Sequence, residues 1–403
     1  MGVLLVNGRI IDGTGRVVEK GYVVIEGENI TEVGADFKGR TSGYDRVIDL
    51  SGCSLLPGLI DCHVHLTADA GPDPVSQVRG DSEAMATIRS VVNARKTLEA
   101  GFTTVRDCGA QSYLIIDVRR AIERGIIPGP RIMSAGMALC MTGGHGWWCS
   151  KEIDGADSAR RAARENLKAG ADFIKLIATG GIMTEGVTVG APQLDEEEMA
   201  AAVREAKKAG KKAAAHAHGP EGVKNAVRAG VDSIEHGFLM DDEAISLIKE
   251  RGTFFVPTVA TVHLVVEKGL QAGIPEYVVR KSEQVIPHQE RAFKEAHRMG
   301  LKMAMGTDAG MPFNHHGENQ RELTAMVNLG LSPMEAIVSA TSSAAQLLGL
   351  DEKLGSIAPG KLADLLVVEG DPLEDIALLE KKERIRMVMK GGKEVVDKYA
   401  PER

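Results

Sequence analysis

Paired thiols are missing from this chain. Its five cysteines (Cys53, Cys62, Cys108, Cys140 and Cys149) are odd in number and contain no Cys-x-x-Cys spacing, which argues against a disulfide framework and a thiolate zinc site and points to a reducing compartment. No apolar run reaches the ~18 residues of a membrane span, and residues Met1 to Asp12 hold no basic stretch followed by a long apolar core. A net charge of −8 leaves no basic patch, which disfavours nucleic acid or an anionic membrane as a partner. No Gly-x-Gly-x-x-Gly turn opens the first β/α unit, which weighs against an open doubly wound sheet. Internal repeats and low-complexity linkers are also lacking. The expectation is a cytoplasmic enzyme that forms a homo-oligomer and acts on a small molecule.

With 403 residues, 43% of them hydrophobic and 26% charged, the chain exceeds the size of one ordinary core, so one large domain plus a smaller one is expected. In its middle, short apolar segments alternate with stretches of helical length. The segments are Phe102–Val105, Arg131–Ala135, Phe173–Ala178, Lys212–Ala215, Asp232–Glu235, Phe254–Val259 and Lys302–Met305. The clearest helix begins near Asp195, with Glu196, Glu197 and Glu198 in its first turn, Lys207 and Lys208 in its last and Gly210 past its end. Another opens at Pro220 and stops at Gly230. With the run ending at His63, eight strands are counted, and the predicted fold is α/β: a (β/α)8 TIM barrel over 58–350. Residues 1–57 and 351–403 alternate β-like runs with turns such as Asn7-Gly8, Asp12-Gly13 and Gly391-Gly392. These ends are expected to form one small β-sandwich together.

Chemistry in such a barrel sits where strands end. The run Leu55 to His65 ends in His63 and His65, which share a face at i, i+2 spacing and can grip one metal ion. Further candidates end later strands: His216 and His218 after Ala215, His236 after Glu235, and Asp308 after Thr307. Singly, each histidine reads as a hydrogen-bonded core residue and Asp308 as a turn or N-cap aspartate. Lys175 lies inside an apolar strand, where an ammonium is costly to bury. The plainer reading pairs it with Asp308 or Glu235; the functional one makes it an amine that takes up carbon dioxide as a carbamate bridging two metals. Together His63, His65, Lys175, His216, His236 and Asp308 converge on one rim as a metal set. The loop Met141–Trp148 is either a packed rim plug or a substrate wall with His145 reaching the substrate. His315-His316 could also enter the site, or form a solvated turn.

These motifs resemble the amidohydrolase superfamily of metal-dependent (β/α)8 hydrolases. The similarity runs through Val6–Gly13, Leu56–His65, Ile234–Gly237, Gly306–Gly310 and Leu354–Asp364, and is nearest the branch of imidazolonepropionase-like enzymes and prolidase-type Xaa-Pro or Xaa-Arg dipeptidases. The resemblance implies that His63 and His65 bind a first divalent metal and His216 and His236 a second. N-carboxylated Lys175 would bridge the two, and Asp308 would bind the first metal while moving protons. The expected metal is zinc, with manganese, cobalt or iron as alternatives. A strand-four lysine implies two metals and counts against imidazolonepropionase itself, which typically lacks it. The expected reaction is attack of a metal-bridging hydroxide on a dipeptide or N-acyl amino acid, with His218 as donor to the oxyanion and, with His145, as a substrate-binding group. Cyclic amide or lactone opening and deamination are the alternatives on the same scaffold. A non-catalytic assembly role is disfavoured because every ligand is present. No arginine is placed to meet a substrate carboxylate, so dipeptide cleavage rests on the resemblance alone.

Overall fold

The structure, a computed structural model, describes residues 2–400. Seventeen strands occur among them: β1 (Gly2–Ile11), β2 (Val17–Glu26), β3 (Asn29–Ala35), β4 (Arg46–Asp49), β5 (Cys53–Pro57), β6 (Leu59–Val64), β7 (Phe102–Asp107), β8 (Arg131–Ser134), β9 (Ala138–Met141), β10 (Ser150–Ile153), β11 (Phe173–Ile177), β12 (Lys212–Ala217), β13 (Ser233–His236), β14 (Phe254–Val256), β15 (Leu365–Glu369), β16 (Ile385–Lys390) and β17 (Lys393–Asp397). The chain falls into two compact units. One comprises Met1–Asp61, Arg95–Thr104 and Gly317–Arg403; the other comprises Cys62–Ala94 and Val105–His316.

In the first unit both chain ends share one mixed sheet, ordered β17-β16-β15-β5-β1-β2-β3 with β4 on β1. Alternating residues of these strands, among them Ile10, Val23, Ile48, Leu55, Val367 and Met387, bury one core. Instead of two separate sheets, a single sheet bends back on itself. The edge strand β3 reaches the lead-in to β15 through Ile30 N–H to Lys361 O at 2.8 Å and Ala363 N–H to Glu28 O at 2.8 Å. Gly391 and Gly392, with φ of 54° and 71°, make the tight β16–β17 turn that matches the twist of the strands. Asn7-Gly8 is no hairpin turn. Asn7 takes φ 63° inside β1, where the pairing with β2 slips between Leu5 and Gly8, so the dipeptide serves as an irregularity in a continuing strand.

The second unit holds parallel strands in the order β10-β9-β11-β12-β13-β14; β6-β7-β8 make a further sheet. The helix Glu196–Lys208 starts as its sequence requires. Asp195 accepts from the Glu198 N–H, and the Glu198 side chain returns to the Asp195 N–H, a capping box. Pro220–Ala229 begins with proline in its first turn and ends at Gly230, φ 90°.

Three expected strands differ. The run Leu55 to His65 breaks at Gly58 into β5 and β6, where the backbone partner changes from Asp364 O, met by Gly58 N–H, to Gly101 O, met by Leu59 N–H; a Cβ at Gly58 would collide with the Thr103 side chain. The segment expected to run to Val259 stops at Val256, since Pro257 has no N–H to donate and Thr258 turns left-handed at φ 47°. Residues 302–305 form no strand. Among the described residues the segment makes one isolated parallel bridge, from Met303 to Phe255. Short strands β9 and β10 were not foreseen; Ser-Lys-Glu-Ile carries little β signal.

Candidate metal centre

β6 buries His63 at 1% exposure and ends at Val64, leaving His65 immediately beyond it. The β11–β12 and β12–β13 registers place Ile177 opposite His216, and Ala217 opposite His236. Asp308, at φ 61°, follows the 302–305 segment, and its N–H bonds His63 O at 2.7 Å. Gly306 permits this approach, since a Cβ on it would lie 2.9 Å from the His63 Cβ. Thus His63, His65, His145, Lys175, His216, His218, His236 and Asp308 all line one cavity.

Asp308 Oδ1 lies 3.5 Å from His63 Nε2 and 3.3 Å from His65 Nε2, so these three offer a compact ligand group. His216 and His236 face the same space with ring centroids 4.6 Å apart, and His63 and His236 stand 4.8 Å apart. Outer hydrogen bonds set the rings. His63 Nδ1–H donates to Glu235 Oε2 at 2.8 Å and His65 Nδ1–H to Gly109 O at 3.2 Å, while His236 Nδ1 pairs with Thr258 Oγ1 at 2.8 Å. Each of these three rings therefore turns its Nε2 away from its Nδ1 partner, the arrangement that metal-ligating imidazoles use.

Burial, reinforced by neighbouring charge, holds His63, His216, His218 and His236 well below the usual histidine range. They are neutral bases with lone pairs to give. Asp308 is the reverse case: burial would raise its carboxyl, but the His65 hydrogen bond and the positive groups around it win and hold it low. Lys175 is 2% exposed, and its Nζ finds no hydrogen-bond partner among the described residues; His216 Nε2 and His218 Nδ1 are likewise buried and unpartnered. The salt bridge that would explain Lys175 as structural is not formed. Glu235 is engaged by Arg106, Ser233 and His63, and Asp308 pairs with the histidines. A cluster of neutral imidazoles, one carboxylate and one unpartnered amine has the donors that divalent metals need.

Sequence reasoning missed Arg106. Buried in β7, it donates from Nε to Cys62 O at 2.6 Å, from a terminal nitrogen to Glu235 Oε1 at 2.8 Å, and stacks 5.2 Å over the Phe173 ring. Its signal was weaker than that of Lys175, since β7 reads Phe-Thr-Thr-Val-Arg-Asp and a cation there does not interrupt an apolar run. Asp107 accepts from the Leu66 and Gly109 N–H groups, and burial pushes its carboxyl up to about 6. His145 is buried beside Thr184, with Nδ1 2.8 Å from the hydroxyl, and burial lowers its pKa to about 3. Trp148 of the same loop lines the cavity, whereas Trp147 is 41% exposed. His316 does not enter the cavity wall; its Nε2–H donates to His65 O at 3.1 Å. His315 is exposed.

A model of the amidohydrolase family matches residues 54–395. Ochratoxinase of Aspergillus niger is 29% identical over 425 residues, covering 96% of this chain and 85% of the relative. Among solved structures, a Xaa-Pro dipeptidase with bound methionine in its active site superimposes with a TM-score of 0.91 at 38% identity, over 98% of this chain and 99% of that one. A prolidase complexed with N-methylphosphonate-L-proline gives 0.91 at 32% identity, over 98% and 100%. With similarity running through nearly its whole length, the chain belongs to the amidohydrolase family and is a hydrolase of amide bonds.

Proposed function

We propose that this protein is a two-metal amidohydrolase that cleaves the amide bond of a dipeptide or N-acyl amino acid inside a closed (β/α)8 barrel, with a small β domain built from residues 1–57 and 351–403. The observation that carries the reading is Lys175, a buried amine with no hydrogen-bond partner beside histidines held neutral. Closure of the barrel is supported by the 302–305 segment, which bonds on two sides: Phe255 N–H to Lys302 O at 2.8 Å and Cys62 N–H to Met305 O at 2.9 Å.

His63, His65 and Asp308 would hold one ion and His216 and His236 the other. Lys175 would serve both ions as a carbamate, formed when the free-base form of its Nζ adds to carbon dioxide with an N–C bond made and one proton released. When bound, the ions supply Lewis-acid polarisation of the scissile carbonyl and a water acidic enough to attack at neutral pH. His218 is neutral and lies just past β12; it would direct a hydrogen bond at the carbonyl oxygen as negative charge develops there. Asp308, ionised at neutral pH, would accept a proton on its carboxylate and return it to the leaving nitrogen. Replacing Asp308 by Asn should lower kcat by roughly 10²–10⁴-fold while metal content stays near two per subunit. Undiminished turnover would remove that role.

A further inference from the structure

We infer that the cavity selects amides carrying a bulky, uncharged apolar group, an aromatic or branched aliphatic side chain or acyl chain, and discriminates against substrates that bring a charged group to the same place. This rests on the reading of the centre as an amide hydrolase and adds which amides it takes.

Away from the histidines, one side of the cavity wall is made by Val75, Trp148, Ile182, Met183, Phe238 and Val262, while the uncharged hydroxyls of Thr67, Ser150, Thr261 and Ser282 line it elsewhere. The apolar side chains are not scattered. Ile182, Met183, Phe238 and Val262 belong to one buried cluster, and Val75 and Trp148 pack against it. That side of the wall is therefore a continuous apolar surface backed by packed core, with little freedom to rearrange around a polar guest. It also adjoins the reacting groups. The Phe238 ring is 4.5 Å from the His218 ring and 5.7 Å from that of His236, so a group lodged there is attached close to the scissile bond.

Charge is absent from that surface. The only ionic residues lining the cavity among the described residues are Lys175 and Asp308, both inside the histidine cluster. Neighbouring cations are committed elsewhere. Lys281 Nζ donates to Thr184 O at 2.6 Å and Gly181 O at 3.3 Å, Arg106 is bound to Cys62, Ser233 and Glu235, and Arg79 lies over the Trp147 ring at 5.1 Å. A carboxylate or ammonium pressed against this wall would lose its water and gain no counter-ion. An apolar group there gains from burial, and hydrophobic pockets discriminate by roughly 10–200-fold per methylene.

The test uses the metal-supplemented full chain and two series of amides. In one, N-acetyl-L-amino acids vary the side chain through Phe, Leu, Ala, Glu and Lys; in the other, acetyl, hexanoyl, phenylacetyl and succinyl groups are placed on one amino acid. In at least one series kcat/KM should rise roughly 10²-fold or more from the small member to the bulky apolar ones, with the charged members below the small one. Equal rates across both series, or a charged member ranking first, would overturn the inference and leave the amide-hydrolase reading standing. If no amide is cleaved, that reading fails, and the inference is decided by calorimetry. Phenylacetamide binding more tightly than succinamate supports it, and the opposite order sinks it. Val262→Asp should cut kcat/KM for the Phe or phenylacetyl member by 10-fold or more and spare the Lys member. If that variant misfolds, Phe238→Ala reads the same wall, with the loss falling on bulky members and not on N-acetyl-Ala. A loss shared equally by all members would count against the assignment.

Discussion

At the scale of single residues, the pair Arg106–Glu235 orients His63, one of the rings that would hold the first metal. Glu235 is fully buried, receives Arg106 on one oxygen and His63 on the other, and is met by the Ser233 hydroxyl at 2.5 Å. By accepting from Nδ1–H it fixes the His63 tautomer and leaves Nε2 as the nitrogen a metal would take. Glu235→Gln should weaken metal binding by 10–100-fold, measured by chelator competition; an unchanged metal Kd would reduce Glu235 to a structural role. Glu235→Ala is a harsher change. It leaves the Arg106 guanidinium buried without its carboxylate and should destabilise the fold by about 3–5 kcal/mol. The inner histidines were legible from the sequence because strand periodicity and strand ends together announce them. The outer partners were not: Thr258 or Asp107 reads as an ordinary loop or strand residue until the register of its neighbours is known.

Among elements, helices were the most legible and short strands the least. Glu196–Lys208 carries its start and stop in side-chain chemistry, so its limits followed from the sequence to within a residue. In the run Leu55 to His65 the pair Pro57-Gly58 marks the break, but the side chain that Gly58 must accommodate, Thr103, lies far along the chain. One contact of the Glu196–Lys208 helix should show in acid. Glu205 accepts from Arg164 Nε at 2.9 Å and Lys208 Nζ at 2.9 Å, and these partners lower its pKa from 4.5 to about 2. A depressed folded-state pKa stabilises above the unfolded value, so this contribution is complete above about pH 4.5 and disappears as pH falls towards 2. Thermal melts of Glu205→Gln should therefore trail the parent at pH 6 and converge with it near pH 2. A constant gap across that window would show that the carboxylate charge is not what matters.

For the molecule as a whole, stability and loading with metal should be one quantity. Lys175 Nζ and His216 Nε2, buried without partners, are a standing cost until something binds them, and a ligand at 100 times its Kd adds about 2.7 kcal/mol. Chelation should lower Tm and zinc with bicarbonate should restore it. Lys175→Met should raise the Tm of chelated protein and blunt the response to zinc; a chelator-insensitive parent would contradict the two-metal reading. The β/α alternation and the cluster of histidines at strand ends were readable because they repeat or converge, whereas the bending of the end strands into one sheet depends on pairings between residues such as Ile30 and Lys361 that no local pattern announces. His236, Thr258 and Asp308, with φ of 71°, 47° and 61°, hold backbone shapes that cost a non-glycine residue roughly 1–2 kcal/mol each. A lineage drifting toward relaxed loops would find glycine at Thr258 easy to accept and would lose the hydroxyl that steadies His236. Durability and competence are thus set against each other at the rim, and heat-hardened descendants of this chain should be searched there first for what they gave up.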